Sequence, residues 1–144
     1  MDHVVYLDAI AKEMENILSG NKKMIIRGAT GRKIPYGKVN LGDNLYLLNN
    51  NAEGLIKVSA KVKNVFNSDK MTPEESMNLI ERNQYKLKLT DKQLVRWTGK
   101  RYLVLIEIED VKEIKSFAID KSNYGNMDDW LIVEDINKVK KIIN

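Results

Sequence analysis

Apolar residues recur at helical spacing near the start of the chain. Leu7, Ile10, Ala11, Met14, Ile17 and Leu18 share one helical face, which predicts a helix over residues 8–19. Gly20 then stands where a helix closes on a left-handed residue. Residues 4–7 read as a short apolar strand or as the approach to that helix, and residues 24–27 are β-favourable. Gly28 and Gly31 break the pattern, and residues 34–37 make a turn around Pro35. Residues 45–48 form a strand that ends at Asn49, Asn50 and Asn51 and restarts after Gly54, which predicts a hairpin.

Strict alternation follows. Ile56, Val58, Ala60 and Val62 point one way and Lys57, Ser59, Lys61 and Lys63 the other, so a strand with a cationic outer face is expected. Val65 and Phe66 break its phase, as a bulge or strand end would. Two capping boxes come next. Thr72 with Glu75 opens a helix with Pro73 at its first position and Met77, Leu79 and Ile80 further on. Thr90 with Gln93 opens a shorter one carrying Leu94, Val95 and Trp97, stopped by Gly99. Residues 101–108 are the most apolar strand, expected at the centre of the sheet. A last helix from about residue 135 would bury Ile136, Val139, Ile142 and Ile143, with Lys138, Lys140 and Lys141 at its negative end. Helices at the ends and middle with consecutive antiparallel strands between them give an α+β class, a small, partly closed barrel flanked by helices.

Composition narrows the chemistry. With 144 residues one domain is expected, and 43% apolar content is enough for a core. The absence of cysteine removes disulfides, cysteine-ligated zinc and thiol nucleophiles. Apolar runs such as residues 103–106 fall far below the roughly 20 residues of a membrane helix, and the start of the chain lacks the pattern of a signal peptide. The expectation is a soluble, cytoplasmic protein without a membrane partner. The net charge of +4 is modest, but it is segregated. Residues 19–41 carry six basic residues and no acid, and residues 82–101 carry seven against Asp91 alone. Acids gather instead at 8–15, 74–81 and 107–113. Such segregation favours an anionic partner, because each neutralised phosphate releases counterions.

The run Gly20, Lys22 and Arg27 after a helix resembles the G-x-K-x-x-E-x-R signature of ASCH domains, in the PUA-like superfamily. The family's acidic position is Ile25 here. The order of elements also resembles that family: Gly42-Asp43 entering a barrel strand, Gly54 before an alternating strand, helical inserts, a long apolar strand and a closing segment. That segment runs through Ile119, Tyr124 and Gly125 to Trp130 and Leu131. The resemblance implies a PUA-like pseudo β-barrel over residues 1–144, with a basic cleft between the first helix and the barrel. It implies RNA binding, and for some members hydrolysis of acylated cytidine or of RNA.

Amide hydrolysis needs a base with a tuned pKa and a nucleophile or activated water. Lys22, at the family's lysine position, would be that base once desolvated, but Ile25 can neither take a proton nor attack a carbonyl. His3 lies near the terminus and is expected to be solvated. Asp128, Asp129, Glu107, Glu109 and Asp110 are the carboxylates a metal would need, and on a strand such residues usually form the solvent face. No metal and no cofactor is expected. Gly28 and Gly31 followed by Arg32 and Lys33 lack the spacing of a nucleotide-hydrolysing loop, yet suit a basic loop approaching a phosphate.

Binding asks for less. Lys22, Lys23, Arg27, Arg32 and Lys33 would meet phosphates, with Arg27 forking onto a phosphate or a base edge. Tyr36, Tyr124 and Trp130 would stack on bases, while Trp97 is expected in the core. The expected function is recognition of single-stranded RNA or a modified nucleoside. A hydrolase using Lys22 is the alternative, and a protein-interaction module using Lys57, Lys61 and Lys63 is the third reading.

Overall fold

The computed structural model describes residues 1–124 and 129–141. Elements follow in the order β1 (Asp2–Leu7), α1 (Glu13–Leu18), β2 (Met24–Ala29), β3 (Asn44–Asn49), β4 (Leu55–Asn67), α2 (Pro73–Leu87), α3 (Asp91–Trp97), β5 (Tyr102–Ala118) and β6 (Trp130–Glu134), closed by a 3-10 turn over Ile136–Lys138. Six strands form one sheet in the order β2-β5-β4-β3-β1-β6, curled into a half-barrel with the helices flanking it. The α+β pseudo-barrel expectation holds. No helix among the described residues is long and apolar enough to cross a membrane.

Most pairings are antiparallel, but β1 runs parallel to β3, with Val4 opposite Tyr46 and Leu7 opposite Asn49. The expectation of a consecutive antiparallel series therefore fails at β1. A parallel pair needs a long crossover, and here α1 and β2 supply it.

Several strands are buried on both faces, so alternate residues enter different cores. From β2 and β5, Ile25, Val104, Ile106 and Ile108 point inside the barrel with Val5, Leu45, Val58 and Trp130. Met24, Ile26, Leu103 and Leu105 point outward, under Leu79, Ile80 and Leu87 of α2 and Trp97 of α3. A third cluster joins Val4, Leu48, Ile56, Leu131, Val133, Ile136 and Val139, with Tyr46 and Tyr124 packed against it. Double burial explains why β5 reads as a continuous apolar run rather than an alternating one.

The first helix is shorter than its apolar spacing predicts. The Asp8 side chain accepts from the Ala11 N–H (3.0 Å), and Glu13 reaches back to the Asp8 N–H (2.7 Å). Those local bonds hold residues 8–12 in turns that end on left-handed Lys12 (φ 56°). Leu7 is buried but on β1, Ile10 projects into solvent at 88% exposure, and Leu18 is exposed, so within the helix itself only Met14 and Ile17 of the expected face are buried. Gly20 is left-handed (φ 80°) as expected.

Both capping boxes form: Thr72 accepts from Glu75 N–H and Thr90 from Gln93 N–H. Met77 and Val95, expected among the apolar residues of these helices, are exposed. Alternation along β4 is as read, with Ile56, Val58, Ala60 and Val62 buried. The break of phase is a register shift against β5 between Val62 and Asn64, after which β4 continues to Asn67. Strand β5 continues to Ala118, ten residues past its apolar part, as a bulged ribbon with β4. The last helix is instead the single 3-10 turn, after which Lys140 bridges to Ile119. Ile142, Ile143, Gly125 and Asp128 lie outside the described residues.

Candidate functional site

Strands β2 and β6 are the two edges of the sheet, and the half-barrel stays open between them. A cleft of about 160 Å³ occupies this region. Arg27 of β2 and Trp130 of β6 line it, with Tyr36, Arg96, Lys100 and Tyr102 around them. Its charged lining residues are Arg27, Lys33, Arg96 and Lys100 against Asp129.

Arg27 is the unusual member. It is 9% exposed, and its terminal nitrogens donate to the carbonyls of Tyr6 (2.6 Å) and Ile26 (2.7 Å). Its Nε is buried without a hydrogen-bond partner among the described residues. No described carboxylate lies within ion-pair distance of it. Burial lowers its pKa, opposed by the more distant charges of Glu13 and Asp129. A buried cation without a counter-ion is costly, and an anion entering the cleft would relieve that cost.

The walls are aromatic. Arg27 lies over the Trp130 ring, 5.8 Å from its centroid. Arg96 stacks at 4.4 Å over Trp97, which lines the cleft as well as filling the outer core, and it pairs with Asp129 at 3.1 Å. Tyr36 and Tyr102 meet edge to face at 5.6 Å, and the Tyr36 hydroxyl donates to the Ser68 carbonyl (2.5 Å). Arg32 covers both rings, at 5.6 and 5.5 Å. Gly28 carries no side chain for a packing reason. A Cβ there would come within 2.5 Å of Leu103 Cδ2 and 3.0 Å of the Tyr102 carbonyl.

The structure brings Arg27, Lys33, Tyr36 and Trp130 together around the cleft, with Arg32 over the Tyr36 ring. Lys22 does not join them. It lines a separate hollow with Leu18, Lys23, Lys63 and Glu107. Its amine is buried, donating to the Leu87 carbonyl (2.5 Å) and pairing with Glu13 (3.2 Å). Burial lowers its pKa, and the Glu13 carboxylate opposes that shift. Lys22 and Arg27, expected to share one cleft, line different cavities, although both feel the charge of Glu13. Tyr124 lies in neither, packed on the third core cluster with Ile136.

His3 reverses its expectation. It is fully buried, with Nε2 2.8 Å from Asp43 Oδ2, and it accepts at Nδ1 from the Trp130 indole N–H (3.0 Å). Arg96, Lys100 and Tyr102 are cleft residues that motif reading missed. The charge excess of residues 82–101 was the signal for the first two. Among the described residues no cluster of histidine and carboxylates could hold a metal ion.

A scan against protein-family models finds no match, and a search of curated proteins finds no relative. Solved structures do resemble this fold. The crystal structure of ASCH from Zymomonas mobilis is 16% identical, with a TM-score of 0.67 over 95% of this chain and 91% of that one. A tyrosine-to-phenylalanine mutant of the Zymomonas mobilis protein gives 15% identity and a TM-score of 0.68, covering 95% and 94%. A serine-to-alanine mutant gives 17% and 0.65, covering 95% and 92%. At this identity the likeness concerns the fold, and the fold is that of an ASCH domain, as the Gly20, Lys22 and Arg27 resemblance implied.

Proposed function

We propose that this ASCH-fold domain binds RNA, taking single-stranded RNA or a modified nucleoside into the cleft between β2 and β6. The observation that carries the proposal is Arg27, a buried guanidinium at the cleft that has no carboxylate partner and one unpaired nitrogen among the described residues. A phosphate or a base edge supplies the acceptors it lacks, through charge-assisted bonds. Lys100, Arg96 and Lys33 surround the opening and draw an anion toward it. Tyr36 and Tyr102, half-buried at the wall, offer ring surface to a base, worth about 1–3 kcal/mol for each base stacked.

The hydrolase reading has one observation in its favour, the lowered pKa of Lys22. Its amine is already engaged by Glu13 and Leu87, and Ile25, at the family's acidic position, is wholly buried in the barrel core. The protein-interaction reading is weaker, since Lys57 pairs with Glu53 and Lys61 faces Glu109 across the ribbon.

The test is a fluorescence titration with short single-stranded RNA at two salt concentrations. The reading requires quenching that weakens steeply with salt and is lost in Arg27→Met, with Lys22→Met closer to wild type. Absence of binding at low salt would sink it.

A further inference from the structure

We propose that His3 is a positioning residue for ligand binding: its Nδ1 lone pair holds Trp130 in place as a wall of the cleft. The inference rests on the reading of that cleft as the ligand site. It begins with an indole, which donates a hydrogen bond and accepts none. Trp130 Nε1 lies 3.0 Å from His3 Nδ1, so Nδ1 must be unprotonated. The ring proton is then on Nε2, facing Asp43 Oδ2 at 2.8 Å. Asp43 is fixed in turn by the Asn40 N–H (2.9 Å) and stands 3.8 Å from the Met1 amino group.

The arrangement is a chain from Asp43 through His3 and Trp130 to Arg27. The charged groups along it are Asp43, the Met1 amino group and, across the indole, Arg27. His3 is delivered by β1, where it pairs with Leu45 and Ile132, and the two rings meet edge-on at 5.7 Å and 64°. Without the acceptor at Nδ1 the indole N–H would be buried and unsatisfied. Trp130 would then turn to find a partner, taking with it the ring under Arg27.

The experiment uses 15N-labelled protein, following the two indole N–H signals and the His3 ring nitrogens, with titration by a short oligouridylate. Trp130→Phe assigns the indole signals, and Trp97 supplies the reference. In the wild type, His3 Nδ1 shows the shift of an unprotonated nitrogen. His3→Leu moves the Trp130 signal, leaves that of Trp97 in place and weakens oligouridylate binding about fivefold. His3→Asn, whose Oδ1 replaces the Nδ1 acceptor, keeps the Trp130 signal and binds within about twofold of wild type. A protonated Nδ1, a Leu variant that binds normally with its indole signal unmoved, or an Asn variant as impaired as Leu would each overturn the proposal. Should the Leu variant not fold, the wild-type ring nitrogens and the Asn variant still decide. Wild-type protein that ignores the RNA while its Trp130 signal responds to His3→Leu overturns the RNA reading and leaves the His3–Trp130 coupling standing.

Discussion

The Arg27 guanidinium lies 5.8 Å from the centre of the Trp130 ring, and this contact spans the two edge strands of the sheet. The same side chain donates to the Tyr6 carbonyl of β1. Arg27 therefore spans the place where the barrel does not close, and the cleft lies beside it. A desolvated cation there is a cost to the fold, and under the proposed reading it serves the ligand.

That division predicts opposite sensitivities. Arg27→Met loses the hydrogen bonds to Tyr6 and Ile26 and removes a desolvated charge, and these effects largely cancel. Its stability should stay within about 1 kcal/mol of wild type by chemical denaturation. RNA affinity should fall at least about tenfold in the same variant, equivalent to about 1.4 kcal/mol. A large stability loss with intact binding would contradict both halves.

Gly28 is confined by β5. Gly28→Ala places a methyl against Leu103 Cδ2 and the Tyr102 carbonyl, and the backbone oxygen has little room to retreat. The expected cost is about 1–3 kcal/mol, read as a lowered urea midpoint at unchanged slope. A neutral result would mean that β2 shifts away from β5 more easily than their register implies.

Lys22 and Glu13 form a pair at 2% and 7% side-chain exposure. Removing one member strands the other, so Lys22→Met should destabilise by about 3 kcal/mol. Adding Glu13→Gln should recover part of that loss, because the remaining side chain is then neutral. A double mutant as weak as the single one would show that Lys22 acts through packing or the Leu87 carbonyl instead.

The lowered pKa of Lys22 has a pH signature, and its sign is fixed by proton counting. The folded chain holds this proton less tightly than the unfolded chain, whose lysine titrates near 10.5. Between the lowered folded value and 10.5 the unfolded state binds more protons, so this group's contribution to stability rises with pH. Below that window its contribution is constant. Urea midpoints taken on approach to pH 10.5 should carry this upward component in wild type and lose it in Lys22→Met. Identical slopes would refute the assignment.

What the sequence alone determined was local. Both threonine caps, the left-handed Gly20, the β3–β4 hairpin and the inward face of β4 follow from bonds and periodicities within a few residues. The family resemblance added the fold, since an ordered series of such elements is itself a sequence property. Tertiary structure decided which polar groups are buried and with whom. His3 finds Asp43 forty positions away and Trp130 127 positions away, and no spacing rule reaches that far. The parallel pairing of β1 with β3 carried His3 inside, where a residue near the chain's start was expected in water. Lys22 and Arg27, five residues apart in one basic motif, line different cavities, and only Lys22 pairs directly with Glu13 while Arg27 lines the gap between the sheet edges. A charge pattern records how much cation a segment carries. Only the packed chain decides whether that cation is neutralised inside the protein or left for a ligand.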